Sequence, residues 1–215
     1  MATILNVPII DQTDHWPTGC ETVSTVMVLN FLGINITVDD FIKSYLRTRP
    51  MHFDKDPSLT GDILIGTGPD PSCFFAGDPY REDGFGCFPG VILEAMNRVL
   101  HESDQGQLSN LRAMDGTGLS EEMLIERIHA GLPVIYWTTL NLEPSIAGPK
   151  WIIEDTGEII YWTSHEHCMV LCGYDESTDE FFFNDPWEHH GRIQVKRSLS
   201  NARHAEMGNR AVILI

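Results

Sequence analysis

The sequence predicts an α+β fold, with helices in the first part packed on a mostly antiparallel sheet built from the second. Two observations carry this. Helical patterns occur in four stretches before residue 131, and beyond it the pattern changes to short β-rich runs. A third observation sets the scale. The chain has 215 residues, 42% apolar and 21% charged, near globular averages. Residues 1–215 therefore read as a single domain, without internal repeat, charge block or Gly/Ser linker.

The first helix is predicted over residues 20–32, where Val23, Val26, Met27, Asn30 and Phe31 share a face and Gly33 stops the run. Pro17 and Gly19 make the turn that enters it, so Cys20 falls at or just before the first helical turn. Thr37 to Asp40 matches a capping box and opens a second helix reaching about Leu46. Residues 48–88 hold five of the twelve prolines and little periodicity, and read as a long, mostly irregular insertion strewn with aspartates. Pro89 sits in the first turn of a helix to Leu100. Ser120 caps another over Glu121 to Ala130. Strands are then predicted at 132–140, 158–163, 165–174, 180–184, 191–195 and 210–215, with Asp175 to Asp179 as a hairpin turn.

Fourteen basic residues against 31 acidic ones give a net charge of −17. Such a chain is repelled by phosphate backbones and anionic lipid, so nucleic acid and membrane surfaces are not expected partners. No apolar run reaches the roughly 18 residues needed to span a bilayer. The opening MATILNVPII shows no signal peptide. That places the chain as given in the cytoplasm, or outside the cell if Met1 begins a mature form.

The five cysteines, Cys20, Cys73, Cys87, Cys168 and Cys172, form no dense disulfide pattern, although Cys73 and Cys87 are near enough in sequence to pair. On a strand, Cys168 and Cys172 stand about 13 Å apart and cannot share one zinc ion. Neither a metal nor a cofactor is expected. The scattered aspartates of 48–88 lack a calcium-loop spacing and read as a solvated surface.

Strand alternation sets His165, His167, Met169 and Leu171 on one face, and Glu166, Cys168, Val170 and Cys172 on the other. His167 begins an apolar strand and suits a general base. If the next strand folds back, Asp185 of Asn184-Asp-Pro-Trp187 reaches His167 and orients its ring. Cys20, at the positive end of a helix, suits a nucleophile whose thiolate that end would favour. Gln12, eight residues upstream, offers an amide donor for an oxyanion, together with the Cys20 N–H.

Leu5 to Pro8, Gln12, Pro17 to Ser24 and Val28 to Gly33 together resemble the start of the soluble double-glycine-peptidase-like proteins. These are bacterial relatives of bacteriocin-processing peptidases in the papain-like superfamily. Gly68 to Pro71, Phe75 to Pro79 and Gly84 to Pro89 are similar to the central loop of Gram-positive members. His167 to Asp175 and Asn184 to Trp187 resemble the family's histidine strand and aspartate motif. The resemblance covers nearly the whole chain. It implies a papain-like fold, with Cys20 as nucleophile, His167 as base and acid, Asp185 as orienter and Gln12 in the oxyanion hole. The expected activity is thiol hydrolysis of a peptide or related amide bond in a peptide or protein substrate. Two alternatives stand beside it: an acyltransferase using the same thioester, and an inactive cell-wall or adhesion module of the same fold. His15, Trp16, Trp187, His189 and His190 flank these positions in sequence and are candidates to line a cleft.

Overall fold

A computed structural model describes residues 1–103 and 110–215. The chain opens with β1 (Ala2–Ile4), then α1 (Cys20–Phe31) and α2 (Val38–Ser44). Four short strands follow: β2 (Thr48–Arg49), β3 (His52–Phe53), β4 (Leu64–Gly68) and β5 (Phe75–Ala76). Next come α3 (Pro89–Glu102), β6 (Ala113–Asp115) and α4 (Glu121–His129). The strands β7 (Val134–Thr139), β8 (Ile146–Ile153), β9 (Ile159–Ser164), β10 (Glu166–Asp175), β11 (Glu180–Asp185) and β12 (Gly191–Lys196) lead to α5 (Arg197–Glu206) and β13 (Ala211–Leu214).

The main sheet runs β12-β11-β10-β7-β13-β6, antiparallel throughout, with β1 paired to the far end of β10. Its two faces build two cores. Cys168, Val170 and Cys172 join Val23, Val26 and Met27 of α1 and the apolar faces of α2 and α3. Met169 and Leu171 join Leu124, Ile125 and Ile128 of α4 on the other side. The expected alternation along β10 is therefore what divides the molecule. Helix α1 is buried on all sides from Cys20 to Leu29, which explains why its apolar residues do not keep to one stripe.

Helix starts follow the sequence closely. Thr37 Oγ1 accepts from the Asp40 N–H at 3.0 Å, Ser120 Oγ accepts from the Met123 N–H, and Pro89 opens α3. The α+β prediction thus holds, and so does the hairpin of β10 and β11.

The insertion adds detail to the expectation. Residues 48–88 are mostly irregular, as read from the sequence, but they also carry the four short strands β2 to β5. Strands β3 and β4 join β8 and β9 in a second sheet of order β3-β4-β8-β9, in which β4 and β8 run parallel. Ile65, Ala76, Trp151 and Trp162 form its small core, lined further by Phe85 and Phe88. Its aspartates serve turns: Asp56, Asp70 and Asp78 accept from the N–H groups of Ser58, Ser72 and Tyr80. The sequence reading also passed over β8, whose ladder is broken by a register shift between Ala147 and Lys150, beside Gly148 and Pro149. It passed over α5, a polar helix whose inward face is Ser200 and His204. There Tyr136 Oη lies 2.9 Å from Ser200 Oγ, and His204 Nδ1 lies 2.7 Å from the Trp137 carbonyl.

All five cysteines are free; Cys73 is exposed and Cys87 buried, so the pairing considered for them is not made. Among the described residues no helix is long and apolar enough to cross a membrane.

Candidate active site

Strands β10 and β11 are joined by the Asp175–Asp179 turn, so their outer ends converge. The pairing sets Val170 opposite Asn184 and carries His167 and Asp185 to neighbouring positions on the α4 side of the sheet. His167 Nε2 lies 2.7 Å from Asp185 Oδ1, and both side chains are only 3% exposed. The Trp187 N–H donates to the same oxygen at 3.0 Å. His190 Nδ1 lies 2.8 Å from Asp185 Oδ2. Burial pushes the Asp185 carboxyl up. The hydrogen bond and charge of His167, then the bonds from His190 and Trp187, outweigh it and hold the group below its ordinary range. Asp185 is thus a carboxylate with both oxygens occupied.

Cys20 is the first residue of α1, where backbone N–H groups have no intrahelical acceptor. One turn further, Ser24 Oγ donates to the Cys168 carbonyl at 3.1 Å, which seats this end of α1 over the start of β10. The Cys20 thiol does not bond to His167 among the described contacts. It donates to Glu21 Oε2 at 3.4 Å. Sulfur and carboxylate oxygens of Cys20, Glu21 and Glu166 lie within 4.8 Å of one another, close enough to surround one cation. The surroundings reverse the expectation of an activated thiolate. Burial, then the charges of Glu21 and Glu166, push the Cys20 thiol well up.

Glu21 is fully buried. Its Oε1 accepts from the Cys87 N–H at 2.6 Å, tying α1 to the end of the insertion. Gly86 is required beside it: its φ is +135°, and a Cβ there would collide with Glu21 Oε1. Burial pushes the Glu21 carboxyl up to about 7 despite these hydrogen bonds. Burial and the charge of Glu21 also push Glu166 up, against a smaller pull from Arg210.

Gln12 is 2% exposed. Its N–H donates to the Pro186 carbonyl at 2.8 Å, and its carbonyl accepts from the Trp16 N–H at 2.8 Å. Its side-chain Nε2 donates to the Pro17 carbonyl at 3.3 Å, leaving a second amide proton for another acceptor. Gln12 therefore bridges the turn after Asp185 and the turn that enters α1. Of the flanking rings, His190 reaches Asp185, His189 pairs with Asp11 at 2.8 Å, and Trp16 donates to Asp39 at 3.0 Å.

Reading the residues alone missed Glu21 and Glu166 as neighbours of Cys20, and His190 as a partner of Asp185. A signal for Glu21 was present: it is the only charged residue in α1. An unpaired charge in an otherwise apolar helix marks a polar task inside the core.

Three comparisons place this geometry among known proteins. A family model described as the Peptidase C39 like family matches residues 4–212. The uncharacterized protein YvpB of Bacillus subtilis (strain 168) is 27% identical over 197 residues, 91% of this chain and 68% of that protein. A crystal structure of a C39-like peptidase from Bacillus anthracis, itself a provisional assignment, superposes with a TM-score of 0.77 at 25% identity, covering 100% of this chain and 98% of that one. The papain-like α+β architecture expected from the sequence is that of this structural neighbour.

Proposed function

Since the chain belongs to the Peptidase C39 like family, we propose that it is a cysteine-type peptidase cleaving a peptide or related amide bond. The observation that carries the reading is the buried His167–Asp185 pair at 2.7 Å, at the end of the strand over which the first turn of α1 presents Cys20. Asp185 fixes the His167 tautomer by accepting at Nε2, which leaves Nδ1 as the base.

In this reading the thiol gives up its Glu21 contact and meets the His167 ring at the start of β10 before it attacks. Cys20 Sγ attacks the carbonyl carbon while its proton passes to His167. The second amide proton of Gln12 and the Cys20 N–H stabilise the oxyanion. Collapse of the tetrahedral intermediate expels the amine, which takes the proton from His167 and leaves an acyl-thioester on Cys20. Water then attacks with His167 as base, releasing the carboxylate and restoring the thiol. Because the resting thiol is held neutral, proton removal accompanies attack and does not precede it.

The test is a fluorogenic peptide library turned over by the wild type and by Cys20→Ala, with intact-mass detection of an acyl adduct. Turnover and a single adduct on Cys20 in the wild type alone are expected. Turnover that persists in Cys20→Ala overturns the reading. Consumption of peptide only when an acceptor amine is added would identify the acyltransferase instead.

A further inference from the structure

A cavity of about 330 Å3 opens beside the proposed nucleophile, between the insertion and the β8–β9 hairpin. Trp162, Phe85, Ile146 and Pro149 form apolar walls, and His165 and Glu166 supply its polar part. Two buried polar atoms in that part lack hydrogen-bond partners: Glu166 Oε1 and His165 Nδ1. A buried carboxyl oxygen without a donor is costly, so its position calls for a group that arrives from outside.

The charge around Glu166 says which group fits. Glu21 is the second carboxyl of the cluster, and Cys20 and Cys168 beside it are thiols. His165 Nδ1 is unpartnered. The nearest fixed cation is Arg210, and it is engaged elsewhere: its guanidinium lies 3.6 Å over the Phe88 ring and donates to the Met207 carbonyl at 2.9 Å. Among the described residues Arg210 makes no ion pair with Glu166. The cavity therefore joins aromatic and aliphatic walls, suited to an alkyl stem, to a carboxyl pair that has no ion-paired partner among the described residues and is attracted only at a distance by Arg210. The −17 net charge of the chain favours approach by cations in general.

We propose that this cavity is a substrate-selectivity pocket, in which Glu166, backed by Glu21, takes the cationic side chain of a lysine or arginine flanking the scissile bond. The inference rests on Cys20 being the nucleophile. Because the Glu166 carboxyl lies within 4.8 Å of the Cys20 sulfur, a side chain seated there belongs to a residue close to the bond that is cut. An arriving ammonium or guanidinium also supplies the positive charge that ionised Glu21 and Glu166 lack. Substrate binding would then offset the part of the upward push on the Cys20 thiol that comes from the carboxyl charges, beside the larger part that comes from burial.

The test compares matched tripeptidyl chloromethyl ketones carrying lysine, N-acetyl-lysine or norleucine, at the terminal position or one residue before it. Each forms a thioether with Cys20 and releases chloride, so adduct mass reports the rate. In one of the two registers the lysine probe is expected to label Cys20 about tenfold or more faster than norleucine, the effect of one charge-assisted bond. N-acetyl-lysine should follow norleucine, and Glu166→Gln should bring the lysine-to-norleucine ratio toward one. Equal labelling by lysine and norleucine in both registers overturns the selectivity and leaves the nucleophile standing. A folded wild type in which no probe labels Cys20 overturns both. If Glu166→Gln does not fold, carbodiimide coupling of the bound lysine probe in the wild type decides. A crosslink to Glu166 or Glu21 supports the pocket, and a crosslink to another carboxyl overturns it.

Discussion

Buried carboxyl groups flank both faces of β10. On the α4 side stands Asp185, and on the α1 side stand Glu21 and Glu166. Both sites are largely buried, yet they settle into opposite charge states. Asp185 collects donors on both oxygens, from His167, His190 and the Trp187 N–H, and stays ionised. Glu21 has only backbone N–H donors, from Cys87 and itself, and a weak thiol donor, and Glu166 Oε1 has none, so burial pushes both toward the protonated form. Depth of burial does not decide the charge of a carboxyl group; the number and polarity of the donors around it do. In the proposed reading the first face orients the His167 ring, whereas the second surrounds a neutral thiol.

The largest expected effect removes the proposed nucleophile from the second face or the proposed base from the first. Cys20→Ala removes hydrolysis, and His167→Ala lowers turnover by on the order of a thousandfold or more, while His165→Ala costs far less. Steady-state rates on any substrate from the library check this, and equal losses for both histidines would leave the base unassigned. Next comes Asp185→Asn, which turns an amide toward donors that need an acceptor. It should lower kcat by on the order of a hundredfold, short of the His167→Ala loss.

The third prediction concerns the other face and reads stability. A carboxyl raised from 4.5 to about 7 binds its proton more tightly in the folded chain. Its stabilising contribution is complete below pH 4.5 and is lost as pH rises through 7. Glu21→Gln removes that loss. Its melting temperature relative to wild type should therefore climb between pH 5 and pH 8 by several degrees, from a swing of about 3 kcal/mol. A melting difference that stays constant across that range would show that Glu21 does not titrate there. The smallest effect is expected at His190, which is half-buried and holds only the second oxygen of Asp185. His190→Gln should lower kcat by about three- to tenfold, with KM unmoved. A loss as large as that of Asp185→Asn would make His190 an equal partner in orienting the pair.

Much of this architecture is legible in the residues because it rests on local rules. Thr37, Pro89 and Ser120 announce helix starts, and the alternation from Glu166 to Cys172 separates the two cores. The His167–Asp185 pair followed from one hairpin, a short-range inference. The cluster around Cys20 did not, because it joins residues from three distant segments: α1, the loop at Cys87 and the start of β10. The helix terminus argued for a thiolate, and only the packed structure reveals the two carboxyls whose charges push the thiol the other way. Strand β8 and helix α5 escaped for a related reason. Gly148 and Pro149 interrupt the first, and the second is held by Ser200 and His204, where no apolar stripe marks a buried face.

The position of β13 bears on when the molecule becomes complete during its synthesis. This strand, the last in chain order, lies between β7 and β6 inside the main sheet, and β7 in turn flanks β10. Cys20 emerges from the ribosome early, but the strands carrying His167 and Asp185 emerge late, and β13 follows them. Under the proposed assignment a growing chain therefore carries Cys20 well before the strands that hold His167 and Asp185. Long-range antiparallel pairing of this kind also forms slowly. The order of elements itself withholds the proposed site until the main sheet can close around β13.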